Sequence, residues 1–219
     1  MRLAIFVGLT AVAACSRTPA EPEPAPPPVS VPPVKPRAVA ASASAPEPAD
    51  GAAPGSLEGR CVVKMADTAP RIPPNASAAA CPPDPGGSGR MPADEITFLD
   101  VGGDGPKLKI TAELARTPRD VERGLMYRRS MGDDQGMFFK LDKRSVHTFW
   151  MHNTCIALDM MFVDTDGLIV GIVEGAAPLT DTIRSVDCES AYVLEVNGGW
   201  SRKHGVQPGQ RITIPFAAR

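Results

Sequence analysis

Two acidic residues stand where strand-like runs should be apolar: Asp159 within Ile156–Val163, and Glu195 between Leu194 and Val196. A carboxyl drawn into a sheet must be paired, hydrogen-bonded or neutralised, because burying an isolated charge is costly. With Arg123 and Arg128 nearby in the fold, the two acids could line a cleft for acid–base work or hold a polar ligand. The same four residues would serve equally as ion pairs fixing a helix to a sheet. Trp150, Asn153 and Thr154 complete the ligand candidates: an aromatic face, followed by two polar side chains in the turn His152-Asn153-Thr154-Cys155.

His147, Met151 and His152, with Met126, Met131, Met137, Met160 and Met161 around them, raise Cu(I) as a minority alternative, since imidazole and thioether suit that ion. His147 and Met151 can share one face of a strand, whereas His152 falls on the other. Most of the methionines occupy apolar-periodic positions, where Met is ordinary core filling. No metal or other cofactor is therefore expected. The chain contains no G-x-S-x-G, H-E-x-x-H or phosphate-binding glycine loop. Cys155 beside His152 could form a thiol–base pair, but a disulfide is the expectation for a cysteine in an oxidising compartment.

The elements that must position these groups are short strands. Val146–Val163 is the organising stretch. In its first half Phe149 and Met151 point one way, with Trp150 and His152 the other. In its second, Ile156, Leu158, Met160 and Phe162 alternate against Ala157, Asp159, Met161 and Val163. Further strands are expected at Glu95–Leu99, Lys107–Arg116, Gly136–Leu141, Leu168–Val173, Tyr192–Val196 and Arg211–Phe216, the last closing the sheet. Asp142–Arg144 and Asp164–Gly167 read as turns, and Trp200–His204 as one helical turn. A helix starts at the N-cap Thr117, with Pro118 at N1 and Asp120 at N3 completing a short capping box. It is expected to run to about Tyr127, with Gly124 admitting a close neighbour or beginning its end. The fold class is mainly β, a compact antiparallel sandwich or squashed barrel with one short helix.

Residues 95–219 hold this domain, and their 15 Lys and Arg against 17 Asp and Glu offer no field for a polyanion, so nucleic acid is not an expected partner. Residues 1–14 are a targeting segment, with Arg2 and a short apolar run closing on Val12-Ala13-Ala14-Cys15. That ending is similar to a bacterial lipobox, which implies acylation of Cys15 and anchoring to a membrane through the acyl chains. Ser16 after the cysteine points to the outer membrane, facing the periplasm. Residues 15–60 are a tether: from Ser16 to Arg60 there are twelve prolines and ten alanines and no aromatic residue, too little apolar bulk to order. Residues 61–94 are loop-rich, with a short strand at Cys61–Met65. Of the five cysteines, Cys61, Cys81, Cys155 and Cys188 remain after lipidation. Three pairings are possible, and the local one, Cys61–Cys81 with Cys155–Cys188, is expected.

Four ordered motifs, G-L-M-Y-R at 124–128, G-M-F-F at 136–139, F-W-M-H-N-T-C-I-A-L-D-M-M-F at 149–162 and V-L-E-V-N-G-G at 193–199, resemble the family known as domain of unknown function 192. The resemblance covers roughly Leu108–Ile214, and the chain departs from the family pattern at Cys155 and Ala157. It implies a compact β-sandwich-like fold and carries no activity or cofactor. The leading reading is a lipid-anchored envelope protein whose β domain binds a small molecule, a polymer or a partner protein without catalysis. An enzyme built on Asp159, Glu195 and the arginines, or a copper-handling protein using His147 and Met151, are the alternatives.

Overall fold

The computed structural model describes residues 57–216 except residue 88. The targeting segment, Cys15 and nearly all of the tether lie outside the described residues. Six strands, β1 (Ala93–Thr97), β2 (Lys109–Ala115), β3 (Gln135–Val146), β4 (Leu158–Val163), β5 (Ile169–Ala176) and β6 (Glu189–Asn197), form one sheet. Two short helices, α1 (Pro118–Arg123) and α2 (Trp200–Lys203), accompany them. The strand order is β1-β2-β3-β6-β4-β5, which makes β6 and β4 interior strands.

The expected antiparallel sheet needs one correction: β2 and β3 pair in parallel, Ala112 opposite Gly136 and Ala115 opposite Phe139. Residues 116–134, with α1 at their start, provide the crossover that a parallel pair requires. The two sheet edges meet through the C-terminal segment. The Leu99 N–H donates to the Arg211 carbonyl and the Thr213 N–H to that of Thr97. On the other side the Ile169 N–H donates to Gln210 and the Ile212 N–H to Gly167. Closure into a squashed barrel satisfies edge groups that would otherwise offer a template for aggregation. At Gly167, with φ +83°, a Cβ would run into the Ile212 carbonyl, so only glycine admits the closing segment.

Strand alternation sends side chains into two cores. Phe98, Phe138, Leu194, Trp200 and Ile212 fill one, and Met137, Phe139, Met160, Phe162 and Val193 the other. Covered on both faces, β4 is buried at all six positions. Met137, Met151, Met160 and Met161 are all fully enclosed, as core filling predicts.

Three local expectations change. Phe149–His152 lies outside the sheet and forms only an isolated bridge, between Phe149 and Arg184. Its alternation survives, with Met151 buried and Trp150 and His152 exposed. Asp142–Arg144 is not a turn; it lies in β3 where the pairing to β6 shifts register between Lys140 and Ser145. Cys61–Met65 forms no strand, although the Val63 N–H reaches the Val170 carbonyl at 2.8 Å.

The cysteines pair non-locally, Cys61 with Cys188 (Cα–Cα 5.7 Å) and Cys81 with Cys155 (5.5 Å), which corrects the expected Cys61–Cys81 and Cys155–Cys188. The cause is the path of residues 57–92, which run as a strap along the domain. Arg60 binds Asp164 and Asp166, the Asn75 side chain accepts from the Ala157 N–H, and the Ala76 N–H donates to the Cys155 carbonyl. These contacts carry Cys61 to the start of β6 and Cys81 to the loop before β4. Replacing Cys81 and Cys155 together by Ser is expected to remove about 2–4 kcal/mol, read as a lower urea midpoint.

Candidate functional site

Glu195 sits in the middle of β6 opposite Met137 of β3 and Met160 of β4, so its side chain enters the core that contains those two methionines. It is 4 % exposed, and no described residue hydrogen-bonds its carboxyl. Desolvation pushes its pKa up to about 8, so the group is a neutral acid at neutral pH. It lines a pocket of about 260 Å³ between α1, β3 and residues 147–150. Leu125, Phe139 and Phe149 give the pocket its apolar wall, and Thr154 contributes a buried hydroxyl. Phe139 and Phe149 meet edge to face at 5.6 Å, and Phe149 meets Phe162 likewise at 5.8 Å, which fixes that wall.

The local sequence explains the walls. Thr117 and Asp120 cap α1 reciprocally, as expected. The helix stops at Arg123 rather than near Tyr127 because Gly124 (φ +46°, ψ −133°) and Tyr127 (φ +66°) turn the chain. That turn lays Gly124 against the Phe139 ring, 3.3 Å from where a Cβ would stand. Gly124→Ala is therefore expected to cost about 2 kcal/mol and to displace the Phe139 ring from the pocket wall, seen in denaturation and in ring proton shifts.

Trp150 lies at the pocket and is 51 % exposed, so it is a surface platform rather than core. Its ring stacks on His152 at 5.0 Å, and His152 Nδ1 lies 2.8 Å from Asp181. Asn153 (φ +54°) donates from Nδ2 to the Tyr127 hydroxyl and accepts the Tyr127 N–H at its carbonyl, pinning this loop to the end of α1. The Thr154 hydroxyl donates to the His152 carbonyl at 3.3 Å.

The other candidates do not join Glu195. Asp159 points to the opposite face of the sheet, because it pairs in register with Val196 rather than Glu195. Its oxygens accept the Gly175 and Gly199 N–H groups at 2.8 and 2.9 Å and that of Ser201 at 2.9 Å. Arg123 borders the pocket, but its guanidinium is held by Asp84 at 2.5 Å and lies over the Tyr127 ring. Arg128 grips Glu113 through two bonds of 2.7 and 2.6 Å. The expected cluster of two acids and two arginines is therefore four separate arrangements. His147 lines the pocket with its Nε2 2.8 Å from the Lys143 carbonyl, whereas Met151 is enclosed in the core. Among the described residues, no group of three His, Cys, Asp or Glu side chains could hold a metal ion.

A larger cleft of about 660 Å³, lined by residues of 64–67 and 202–208, lies elsewhere. Its one arginine, Arg202, is engaged by Glu174, and nothing in it is as poorly compensated as Glu195. Sequence reading missed Phe139, Leu125 and Glu122 as pocket residues. Of the seven ligand candidates, Arg123, Trp150, Thr154 and Glu195 line this pocket, and Arg128, Asn153 and Asp159 do not.

A family model for DUF192, described as Uncharacterized ACR, matches residues 99–214. The chain belongs to the DUF192 family. The DUF192 match holds every pocket residue and leaves out the strap. Two solved structures are similar to the chain. One is a Sinorhizobium meliloti 1021 protein provisionally described as a transcription regulator. It is 37 % identical with a TM-score of 0.54, over 58 % of this chain and 97 % of that one. The other is a protein of unknown function from Novosphingobium aromaticivorans DSM 12444. It is 34 % identical with a TM-score of 0.53, over 57 % of this chain and 86 % of that one. No curated protein matches. Among the described residues, no helix is long and apolar enough to cross a membrane.

Proposed function

We propose that this DUF192 protein is a lipid-anchored envelope protein whose β domain binds a small ligand in the Glu195 pocket, in a non-catalytic role. The observation that carries the reading is a carboxyl, 4 % exposed at the wall of an open pocket, to which no described residue offers a hydrogen bond. Buried polar groups are almost always satisfied, and one that is not invites a ligand to satisfy it. Trp150 at the pocket adds an exposed aromatic face to the recognition surface.

The envelope assignment rests on the lipobox-like Val12–Cys15 and on the two disulfides, which suit an oxidising compartment. Catalysis is the weaker reading. Glu195 has the protonation state of a general acid, but the four domain cysteines are oxidised and the Thr154 hydroxyl is engaged. The regulator description of the Sinorhizobium relative does not extend to this chain, whose domain offers acidic and basic residues in near balance.

Native mass spectrometry of the protein taken from membranes tests both parts. The expected result is an acylated Cys15 at the new N-terminus, two disulfides, and a bound small molecule absent from Glu195→Gln. A mature chain without acyl groups would overturn the anchoring. A ligand retained equally by the variant would place binding elsewhere.

A further inference from the structure

The Glu195 pocket is short of positive charge. The strands packed against Glu195 present Met137 and Met160, which are apolar. From α1 come Glu122 and Arg123. Glu122 has no ion-pair partner among the described residues, and the Arg123 guanidinium is taken by Asp84. From residues 147–150 comes His147, whose Nε2 is engaged by the Lys143 carbonyl and the Ser145 hydroxyl. Two acids thus border the pocket with no free cation to answer them among the described residues, and three aromatic rings, Phe139, Phe149 and Trp150, stand in a wall otherwise made mostly of aliphatic side chains such as Val121, Leu125 and Leu141. Ring faces attract cations, and an uncompensated carboxylate set into an apolar wall does so more strongly.

We propose that the pocket takes an organic cation, an ammonium carried on an apolar body, with the ammonium against Glu195 and the body against Phe139, Phe149 and Trp150. This rests on the ligand-binding reading above and names the ligand class. Binding is coupled to a proton. The empty site holds Glu195 as the neutral acid, so arrival of an ammonium breaks its O–H bond, and the proton passes to the buffer while the ammonium keeps its own. A neutral or anionic hydrogen-bond acceptor would make the opposite demand, using the Glu195 proton and binding worse once it is lost.

Calorimetric titration of the full chain with benzylammonium, benzyl alcohol and benzoate separates these. Benzylammonium is expected to bind best, with affinity rising about tenfold between pH ~6 and ~7 and less steeply toward ~8, and with close to one proton released at the lower pH. In Glu195→Gln the ammonium should lose at least about tenfold in affinity while benzyl alcohol still binds, which shows that the pocket is intact. Tighter binding of the alcohol or of benzoate, or affinity that falls as pH rises, would sink the cation and leave the pocket as a ligand site. Equal binding of benzylammonium by the variant would sink it as well. Failure of all three compounds to bind the wild type would remove both the cation and the small-ligand reading.

Discussion

Raising the pH from about 5 to about 9 is expected to weaken the wild-type fold by several kcal/mol relative to a Glu195→Gln variant. Between its ordinary value near 4.5 and its folded value of about 8, Glu195 keeps a proton in the folded chain that the unfolded chain has released. Folding therefore binds a proton across that window, and rising pH favours the unfolded state. The difference grows by about 1.4 kcal/mol per pH unit and reaches roughly 5 kcal/mol once Glu195 is forced to ionise. Glutamine has the shape of the neutral acid and no proton to lose, so its urea midpoint should stay flat where that of the wild type falls. Parallel profiles for the two proteins between pH ~5 and ~9 would show that Glu195 is ionised or solvated throughout. Acidification acts through other groups. The Arg60 hydrogen bonds hold Asp166 down at about 2, so its contribution is present above the usual aspartate range and is lost as pH falls toward that value.

Asp159→Asn should unfold the domain more readily by about 3–5 kcal/mol, with no dependence on any ligand. The carboxylate gathers three backbone N–H groups, from β5 at Gly175, from the N-cap of α2 at Gly199 and from Ser201 within that helix. It joins the β4 strand to two segments that follow it in the chain. An asparagine retains one acceptor oxygen and turns an NH₂ toward donors, leaving at least one buried N–H unsatisfied. Denaturation of the variant in the presence and absence of benzylammonium measures both claims. Wild-type stability with lost ligand uptake would instead make Asp159 part of the binding site.

What could be read from the chain was local. Thr117, Pro118 and Asp120 specify the start of α1 within four residues, and the structure forms that cap as written. The alternation from Ile156 to Val163 is equally self-contained, and both faces are buried as the absence of polar residues other than Asp159 implies. Glu195 was legible as an acid in an apolar strand. Its neighbours were not, because Leu125, Phe139 and Phe149 come together only when β3 lies parallel to β2, and that depends on where residues 116–134 deliver the chain. Asp159 and Glu195 seemed alike because each is an acid in an apolar strand. The β4–β6 register, with Asp159 opposite Val196 and Met160 opposite Glu195, sends them to opposite faces. The disulfide partners were misread for the same reason. Short separation favours a pairing only if the intervening chain folds back on itself, and residues 61–81 instead run along the domain.

That path has a mechanical consequence. A pull arriving from the N-terminal side meets the Arg60 ion pairs with Asp164 and Asp166 and then Cys61, where it passes through the sulfur to Cys188, the residue before β6. The force is thus handed across a covalent link to a strand in the interior of the sheet and bypasses the hydrogen bonds of the segment between Cys61 and Cys81. Tension applied from that side cannot unzip residues 61–81 one contact at a time, and the domain answers it as a single body until a strand is drawn out or a sulfur bridge is broken.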